Sequence, residues 1–332
     1  MSTPELGAPE LAAPELAPKD LLGLHRRMLE IRAFEDEVQR LFLQNVVRGS
    51  THLYQGQEAV AVGACSVLRA GDTITCTYRG HGAVLAMGAP ADRSLGEILG
   101  KANGLCGGKG GSMHLTDVAR GILGSFAIVG ANLPVTCGAA LSARYRGTDA
   151  VSLAFFGDGA TNIGTFHEAL NLAAIWRLPA IFVCENNLYG EYSPIASTTP
   201  IDRLADRATS YAMASAQVDG NDLLAVRDTV WEAAERGRAG EGPTLIEALT
   251  YRQRGHSRTD PAAYRPDGEL ERWLERDPIV LFERTLDERG VASRDELAAL
   301  RDEVEQEIRA VSERVRAWPD PDPESRFEDV LG

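Results

Sequence analysis

Two polar positions, each at the end of an apolar run, carry oxygen atoms of the kind that a divalent cation prefers. The apolar run 151–156 ends in an aspartate between two glycines, Asp158, and the run 180–185 ends in a pair of asparagines that includes Asn187. A short apolar run without polar interruptions predicts a strand that is buried on both faces. The helical pattern between the two runs makes them a βαβ unit, whose strands are parallel and whose ligands bind at the carboxyl ends of the strands.

A magnesium–phosphate unit is the chemistry that suits this pair of residues. Mg²⁺ usually takes one or two oxygens from protein side chains and the rest from phosphates, carbonyls and water. Asp158 and Asn187 provide two such side chains, and the backbone carbonyl of Tyr189 is a candidate for a further oxygen. The glycines beside Asp158 let the backbone approach a phosphate closely, and the start of the following helix favours negative charge.

The composition argues against several classes of partner and site. The chain has 332 residues and a formal net charge of -14, so we expect it to bind neither nucleic acid nor an anionic membrane surface. Its five cysteines are odd in number and no two are spaced Cys-x-x-Cys, which favours reduced thiols over disulfides or a zinc site. No apolar run is long enough to span a membrane, and the N-terminus resembles neither a secretory signal nor a transit peptide. We therefore expect a cytoplasmic protein.

The hydrophobic periodicity predicts one α/β domain between two terminal segments. Residues 1–18 repeat Pro-Glu-Leu and predict a disordered arm, residues 19–318 form the domain, and residues 319–332 form a tail. Helices are predicted over residues 20–44, 57–68, 165–177, 222–238 and 294–317. Strands are predicted over residues 73–78, 151–156, 180–185 and 244–251. Glycine-rich loops are predicted at 100–112 and 121–130, and a polar loop at 252–268.

Six segments together resemble one family, the E1 α subunits of 2-oxo acid dehydrogenases. Residues 157–189 resemble its thiamine diphosphate motif, in which Gly-Asp-Gly is followed by Asn-Asn about thirty residues later. The other similar segments are RGSTHLYQGQEA (48–59), TYRGHG (77–82), GKGGSMH (108–114), IVGANLP (128–134) and YRQRGHSRTDP (251–261). The resemblance extends from about residue 20 to residue 318. It implies the thiamine-diphosphate-binding fold, a parallel sheet with helices on both faces.

The resemblance also implies how the cofactors are held. Mg²⁺ would be bound by Asp158, Asn187 and the carbonyl of Tyr189. The residues implied for the diphosphate are Tyr78, Arg79 and Arg252, with the backbone of Gly157, Gly159 and Ala160. The residues implied for the aminopyrimidine end are Ala127, Ile128 and Val129, and Ala127 stands where many relatives have glycine. His52, His81 and His256 match active-site histidines, and His256 is the strongest candidate for proton transfer or lipoyl transfer.

Enzymes of this type need a partner, because the glutamate that pairs with the cofactor's pyrimidine ring belongs to a second α/β domain. In the family that domain is a separate β chain, and the two chains form an α2β2 heterotetramer that passes its acyl group to a lipoyl-bearing E2 protein. The resemblance therefore implies oxidative decarboxylation of pyruvate or a branched-chain 2-oxo acid. We expect no activity without the β chain.

Other functions stay open at this point. Within the family, the segments at 128–141 and 255–261 are similar to acetoin dehydrogenases, and the small Ser50 stands where pyruvate-type subunits often carry an aromatic residue. Outside the family, a Mg²⁺-dependent phosphohydrolase would need further acidic ligands, for which the motif offers only Glu168 and Glu185. A non-catalytic scaffold would have no need of the cofactor residues. We expect no control by phosphorylation at Ser257.

Overall fold

The apolar runs of the sequence form the central strands of a six-stranded sheet. The computed structural model describes residues 13–47 and 49–329. The strands are β1 (Thr73–Thr77), β2 (Ile122–Phe126), β3 (Ser152–Gly157), β4 (Ala180–Asn186), β5 (Tyr189–Gly190), β6 (Ser193–Pro194), β7 (Ala214–Asp219) and β8 (Thr244–Leu249). The helices are α1 (Pro18–Leu43), α2 (Glu58–Cys65), α3 (His81–Ala86), α4 (Ala91–Ile98), α5 (Asn132–Arg146), α6 (Gly164–Ile175), α7 (Ile195–Thr198), α8 (Leu223–Arg238), α9 (Glu269–Leu274), α10 (Pro278–Glu288) and α11 (Arg294–Arg316).

The strand order of the sheet creates a crevice at its carboxyl edge. The order is β2-β1-β3-β4-β8-β7, and every pairing in this sheet is parallel. From β1 the chain first adds β2 on one side and then returns to place β3 on the other side. Ligands in such sheets bind where the strand order reverses, outside the carboxyl ends of the strands. Here that point lies between the ends of β1 and β3.

Helices cover both faces of the sheet, as the sequence predicts. Along β3, Leu153 and Phe155 pack into a core that also contains buried residues of α1, α2 and α8. Ala154 and Phe156, which point to the other face, pack with buried residues of α5 and α6. This alternation follows from the two-residue period of a strand. The α/β architecture is therefore confirmed.

The predicted helices and strands are present, but the described residues also form six helices that were not predicted: α3, α4, α5, α7, α9 and α10. The five predicted helices and four predicted strands show shifts of a few residues at their ends. The prediction of a loop throughout 121–130 is wrong, because residues 122–126 form the edge strand β2. The other edge strand, β7, was also not predicted. An edge strand is partly exposed, so it lacks the continuous apolar run that marks a central strand.

The terminal segments contact the domain. Residues 1–12 of the predicted arm lie outside the described residues, but Leu16 of the described part packs on apolar side chains of the core. The carbonyl of Pro14 accepts a hydrogen bond from Nη2 of Arg227 at 2.6 Å. In the predicted tail, the carbonyl of Pro319 accepts a hydrogen bond from the amide of Ala102. Within residues 13–47 and 49–329, no helix combines the length and the apolar character needed to cross a lipid bilayer.

Candidate active site

A cavity of about 770 Å³ lies at the carboxyl edge of the sheet, where the segments after five strands meet. Its volume is that of a site for a small molecule or cofactor. Most of the residues that the sequence predicts for the site line this cavity. They are His52, Tyr78, Arg79, Ala127, Val129, Gly157, Asp158, Gly159, Ala160, Asn187, Tyr189, Arg252 and His256. His81 and Ile128 are the two predicted residues that do not line it.

The Asp158 carboxylate is buried in the cavity wall without a hydrogen-bond partner. Asp158 is 1% exposed, and neither carboxylate oxygen accepts a well-formed hydrogen bond, although its own amide and that of Asn187 lie nearby. Burial raises the pKa of this carboxyl to about 6, although the nearby Arg252 and backbone amides act in the opposite direction. A buried carboxylate without partners is costly unless a cation compensates its charge. The residue therefore fits a metal ligand.

The site would hold a cation with one carboxylate and neutral oxygens. Among the described residues there is no group of three or more His, Cys, Asp or Glu side chains that could hold a metal ion. Glu168 is exposed on α6, and Glu185 is engaged by two neighbouring side chains. Glu185 and Glu191 line the same cavity, but among the described residues they do not form with Asp158 a group that could hold a metal ion. Asn187 and the Tyr189 carbonyl remain as oxygen donors beside it.

The buried Gln57, which the sequence analysis did not single out, holds Asn187 and is itself held by Glu185. Asn187 Nδ2 donates to Oε1 of Gln57 at 3.1 Å, and Gln57 Nε2 donates to Oε1 of Glu185 at 2.9 Å. The Tyr54 hydroxyl donates to the same oxygen of Glu185. One signal for this group exists in the sequence: Glu185 interrupts the apolar run of a strand that is buried on both faces.

Two buried arginines line the same cavity as the metal-type ligands. Arg79 donates from Nη1 to the Leu53 carbonyl at 2.5 Å and from Nη2 to the His256 carbonyl at 2.7 Å. Burial, with the charge of Arg252, lowers the pKa of Arg79 to about 10. Arg252 is only 1% exposed, and its Nη2 donates to the Glu191 carbonyl at 2.9 Å. Two adjacent buried cations repel each other unless an anion binds between them. The N–H groups of a guanidinium are well placed to donate hydrogen bonds to phosphate oxygens.

The polar loop 252–268 is fixed by its own side chains. Arg252 Nη2 also donates to the Tyr264 hydroxyl at 2.6 Å, and that hydroxyl donates to the Asp260 carboxylate at 2.8 Å. Asp260 further accepts from the His256 amide at 2.6 Å. Arg265 Nη2 donates to the carbonyls of Arg252 and Arg254. Sequence reasoning missed these supporting residues, because nothing in their spacing indicates which loop carbonyls they contact.

The rings of His52 and His256 lie edge to face, with centroids 5.0 Å apart, in the cavity wall. His52 also lies 4.3 Å from the Tyr78 ring, and its Nδ1 is buried without a partner. Burial, with the charge of Arg79, lowers the pKa of His52 to about 3. Burial and both arginines lower the pKa of His256 to about 4. Both imidazoles are therefore neutral at physiological pH and able to accept a proton.

His81 lies outside the cavity, in the fully buried first turn of α3. Its Nδ1 donates to the Glu35 carboxylate at 3.0 Å, and its Nε2 lies 2.9 Å from the Ser112 hydroxyl and 3.2 Å from the Ser112 carbonyl. The next residue, Met113, lines the cavity. His81 thus connects the long helix α1 to the glycine-rich segment that forms part of the cavity wall.

In the segment after β2, two side chains line the cavity and the one between them points away from it. Ala127 and Val129 line the cavity, whereas the Ile128 side chain is 72% exposed. The β5–β6 hairpin also lines the cavity, and it approaches the turn after β3 through two glycines. A Cβ atom on Gly159 would lie 3.2 Å from the Cα of Gly190, so glycine allows this close packing.

Comparison with known proteins identifies the family that the six sequence segments resemble, and the match covers most of the chain. The sequence matches the family described as "Dehydrogenase E1 component" over residues 26–324. The alpha subunit of an acetoin:2,6-dichlorophenolindophenol oxidoreductase from Bacillus subtilis (strain 168) is 52% identical over 266 residues, 80% of each chain. The protein of the same name from Cupriavidus necator is 42% identical over 311 residues, 93% of each chain. A pyruvate dehydrogenase E1 component subunit alpha from Rhizobium meliloti (strain 1021) is 40% identical over 314 residues, 94% of this chain and 90% of the relative.

Proposed function

Because this chain belongs to the dehydrogenase E1 component family, we propose that it is the α subunit of a thiamine-diphosphate- and Mg²⁺-dependent E1 enzyme. The reaction we propose is oxidative decarboxylation of a 2-oxo acid, pyruvate or a branched-chain acid, with transfer of the acyl group to a lipoyl group of E2. The observation that supports this most directly is the buried Asp158 carboxylate in a cavity that two buried arginines also line. A cation bound to a diphosphate has the charges that complement both.

The proposed cofactor residues form one group that would bind Mg²⁺ and another that would bind the diphosphate. Asp158, Asn187 and the Tyr189 carbonyl would hold Mg²⁺, since all three offer hard oxygen atoms. Arg79, Arg252 and Tyr78 would bind the diphosphate with charge and hydrogen bonds, and the backbone of 157–160 would contact it closely. When bound, thiamine diphosphate supplies the electron sink that lets the bond beside the substrate carbonyl break. The aminopyrimidine end would lie against residues 127–129.

The histidines have different proposed roles. His52 and His256, as neutral imidazoles in the cavity wall, would accept and return protons at their ring nitrogens during decarboxylation and acyl transfer. His81 was predicted with them, but it contacts Glu35 and Ser112 and not the cavity. For His81 we propose that it positions the cavity wall at Met113.

A partner chain is part of the proposal. Ile128 is an exposed isoleucine beside the cavity, and the cavity residue Val129 and nearby Tyr192 are also exposed apolar side chains. Exposed apolar groups clustered at the mouth of a site favour contact with another protein. We propose that a β chain covers this rim and supplies the glutamate for the cofactor in an α2β2 assembly, which then docks on a lipoyl-bearing E2.

Acetoin is a second candidate substrate, because two of the relatives described above, at 52% and 42% identity, are named as acetoin oxidoreductase subunits. The pyruvate dehydrogenase relative is 40% identical over a similar share of the chain. Both substrates use the same cofactor site, so the residues of that site do not discriminate between them.

The test is turnover by the chain co-expressed with the β-type chain encoded beside it. Pyruvate, branched-chain 2-oxo acids and acetoin are each supplied with thiamine diphosphate, Mg²⁺ and an artificial electron acceptor. We expect turnover of one substrate class, its loss in Asp158→Ala, and no turnover without the β chain. No turnover of any of them, with no cofactor-dependent rise in the thermal midpoint of the complex, contradicts the proposal.

A further inference from the structure

The buried side chains beneath Asn187 form a directed chain of hydrogen bonds. It runs from the Tyr54 hydroxyl to Glu185, from Gln57 Nε2 to Glu185, and from Asn187 Nδ2 to Gln57 Oε1. All four side chains are buried, with at most 5% exposure. In a buried chain each donor must face an acceptor, because a mismatched pair leaves two groups unsatisfied.

The direction of the chain is set at its inner end. The Tyr54 phenol stays protonated, because burial and the adjacent Glu185 raise its pKa well above the ordinary value, so it is the donor of its hydrogen bond. Glu185 Oε1 therefore acts as an acceptor, and Gln57 must present its NH₂ group to that oxygen. The Gln57 carbonyl oxygen then faces outward, and Asn187 can meet it only with its own NH₂ group.

The direction of this hydrogen-bond chain determines on which side the amide oxygen of Asn187 lies. With Nδ2 turned to Gln57, Oδ1 is on the side away from this chain, where it accepts only a weak contact of 3.4 Å from the Tyr189 amide. An amide rotated the other way would offer two N–H donors, which cannot bind a metal cation. On the basis of the proposed function, we propose that Gln57 and Glu185 are positioning residues that orient the Asn187 amide oxygen toward Mg²⁺.

The experiment measures metal binding directly. The complex with the β chain is saturated with thiamine diphosphate and titrated with Mn²⁺, and free Mn²⁺ is measured by electron paramagnetic resonance. We expect Gln57→Leu to weaken Mn²⁺ binding about 10- to 100-fold, the range found when a residue that supports a metal ligand is lost. Gln55→Leu is the matched control, because Gln55 is equally buried and donates to Asp36 at 2.8 Å but does not contact Asn187.

A second variant keeps an acceptor oxygen at the inner end of the chain. In Glu185→Gln, the amide oxygen can still accept from the Tyr54 hydroxyl and from Gln57 Nε2, so the direction at Asn187 is preserved. We expect this variant to retain most of the Mn²⁺ affinity that Gln57→Leu loses. Wild-type affinity in Gln57→Leu, or equal weakening in Gln55→Leu, overturns the inference. Absence of Mn²⁺ binding to the wild-type complex contradicts the proposed function itself.

Discussion

The Tyr264 hydroxyl lies 2.6 Å from Nη2 of Arg252 and holds that guanidinium in the cavity wall. The same hydroxyl donates to Asp260 at 2.8 Å, so its oxygen is oriented to accept from the arginine. Asp260 also accepts from the His256 amide, and one carboxylate therefore fixes both the arginine and the histidine of the loop. The position of the proposed diphosphate ligand depends on a tyrosine that needs no contact with the diphosphate.

We predict that Tyr264→Phe weakens thiamine diphosphate binding about 10-fold. The substitution removes a hydrogen bond to a charged group, worth about 1.5–3 kcal/mol, and lets Arg252 change its orientation. The measurement is the half-saturating concentration of thiamine diphosphate in the assembled enzyme. Tyr145→Phe is the control, because Tyr145 is almost fully exposed on α5. An equal effect in both variants would contradict a role for the Tyr264–Arg252 bond.

We predict that Glu97→Gln loosens the glycine-rich segment 104–111. The buried Glu97 carboxylate accepts hydrogen bonds from the amides of Cys106, Gly108, Gly110 and Gly111. An amide has only one acceptor oxygen, so two of these backbone groups lose their partner at a cost of about 1–3 kcal/mol each. We expect a lower thermal midpoint and faster proteolytic cleavage within the segment. Glu288→Gln, at an exposed position, should show neither change.

The sequence identified the parts of the site that lie directly after strands. Asp158 follows β3, Asn187 follows β4, and Arg79 follows β1, so strand prediction alone brings these residues to one edge of the sheet. The supporting residues Tyr54, Gln57 and Glu97 could not be found in this way. Their partners are 9 to 131 residues away along the chain, and such pairing depends on the packing of helices and loops that no local pattern specifies.

The sequence prediction and the structure differ most in the placement of the histidines. His52, His81 and His256 were predicted together, but only His52 and His256 face the cavity. His81 begins α3, whose first turn is fully buried, and burial of a short helix inside the domain is a tertiary property. A residue type alone does not tell whether a ring faces a ligand or another buried side chain.

We predict that the two cavity histidines make the protein less stable in mild acid. Their folded pKa values, about 3 for His52 and about 4 for His256, lie below the unfolded value of about 6.5. The unfolded chain therefore binds protons that the folded chain does not, and stability falls as the pH drops from about 6.5 toward 4. Above about pH 7 both states are neutral, and this contribution is fully present. The thermal midpoint of the cofactor-free protein should fall less steeply with decreasing pH in His256→Gln, and an unchanged slope would contradict the prediction.

We predict that Ile128→Glu weakens association with the β chain at least about 10-fold. A charge placed in an apolar contact must lose water without gaining a partner, which costs several kcal/mol at an interface. The measurement is the fraction of complex in size-exclusion chromatography across a dilution series. Leu43→Glu is the control, because Leu43 is similarly exposed at the end of α1. Unaltered assembly of Ile128→Glu would place the β chain elsewhere on the surface.

The buried pair of Glu35 and His81 should behave as a coupled unit. The Glu35 carboxylate accepts from His81 Nδ1 and from the Tyr54 amide, both at 3.0 Å, and neither side chain is exposed to solvent. Removing one partner of such a pair leaves a buried polar group unsatisfied, so we expect His81→Leu to cost about 3–5 kcal/mol of unfolding free energy. Glu35→Gln should cost less, because an amide oxygen can still accept from Tyr54.

The double variant distinguishes coupling from two independent losses. If the pair acts as a unit, Glu35→Gln with His81→Leu should be more stable than the sum of the single effects predicts, by about 1–3 kcal/mol. Urea unfolding of the four proteins gives this coupling energy. The same variants also test His81 as a catalytic group: a positioning residue leaves the pH profile of turnover unchanged, whereas loss of a proton-transfer group removes one limb of it. Additive stabilities together with a lost limb would return His81 to the catalytic residues and contradict its placement outside the cavity.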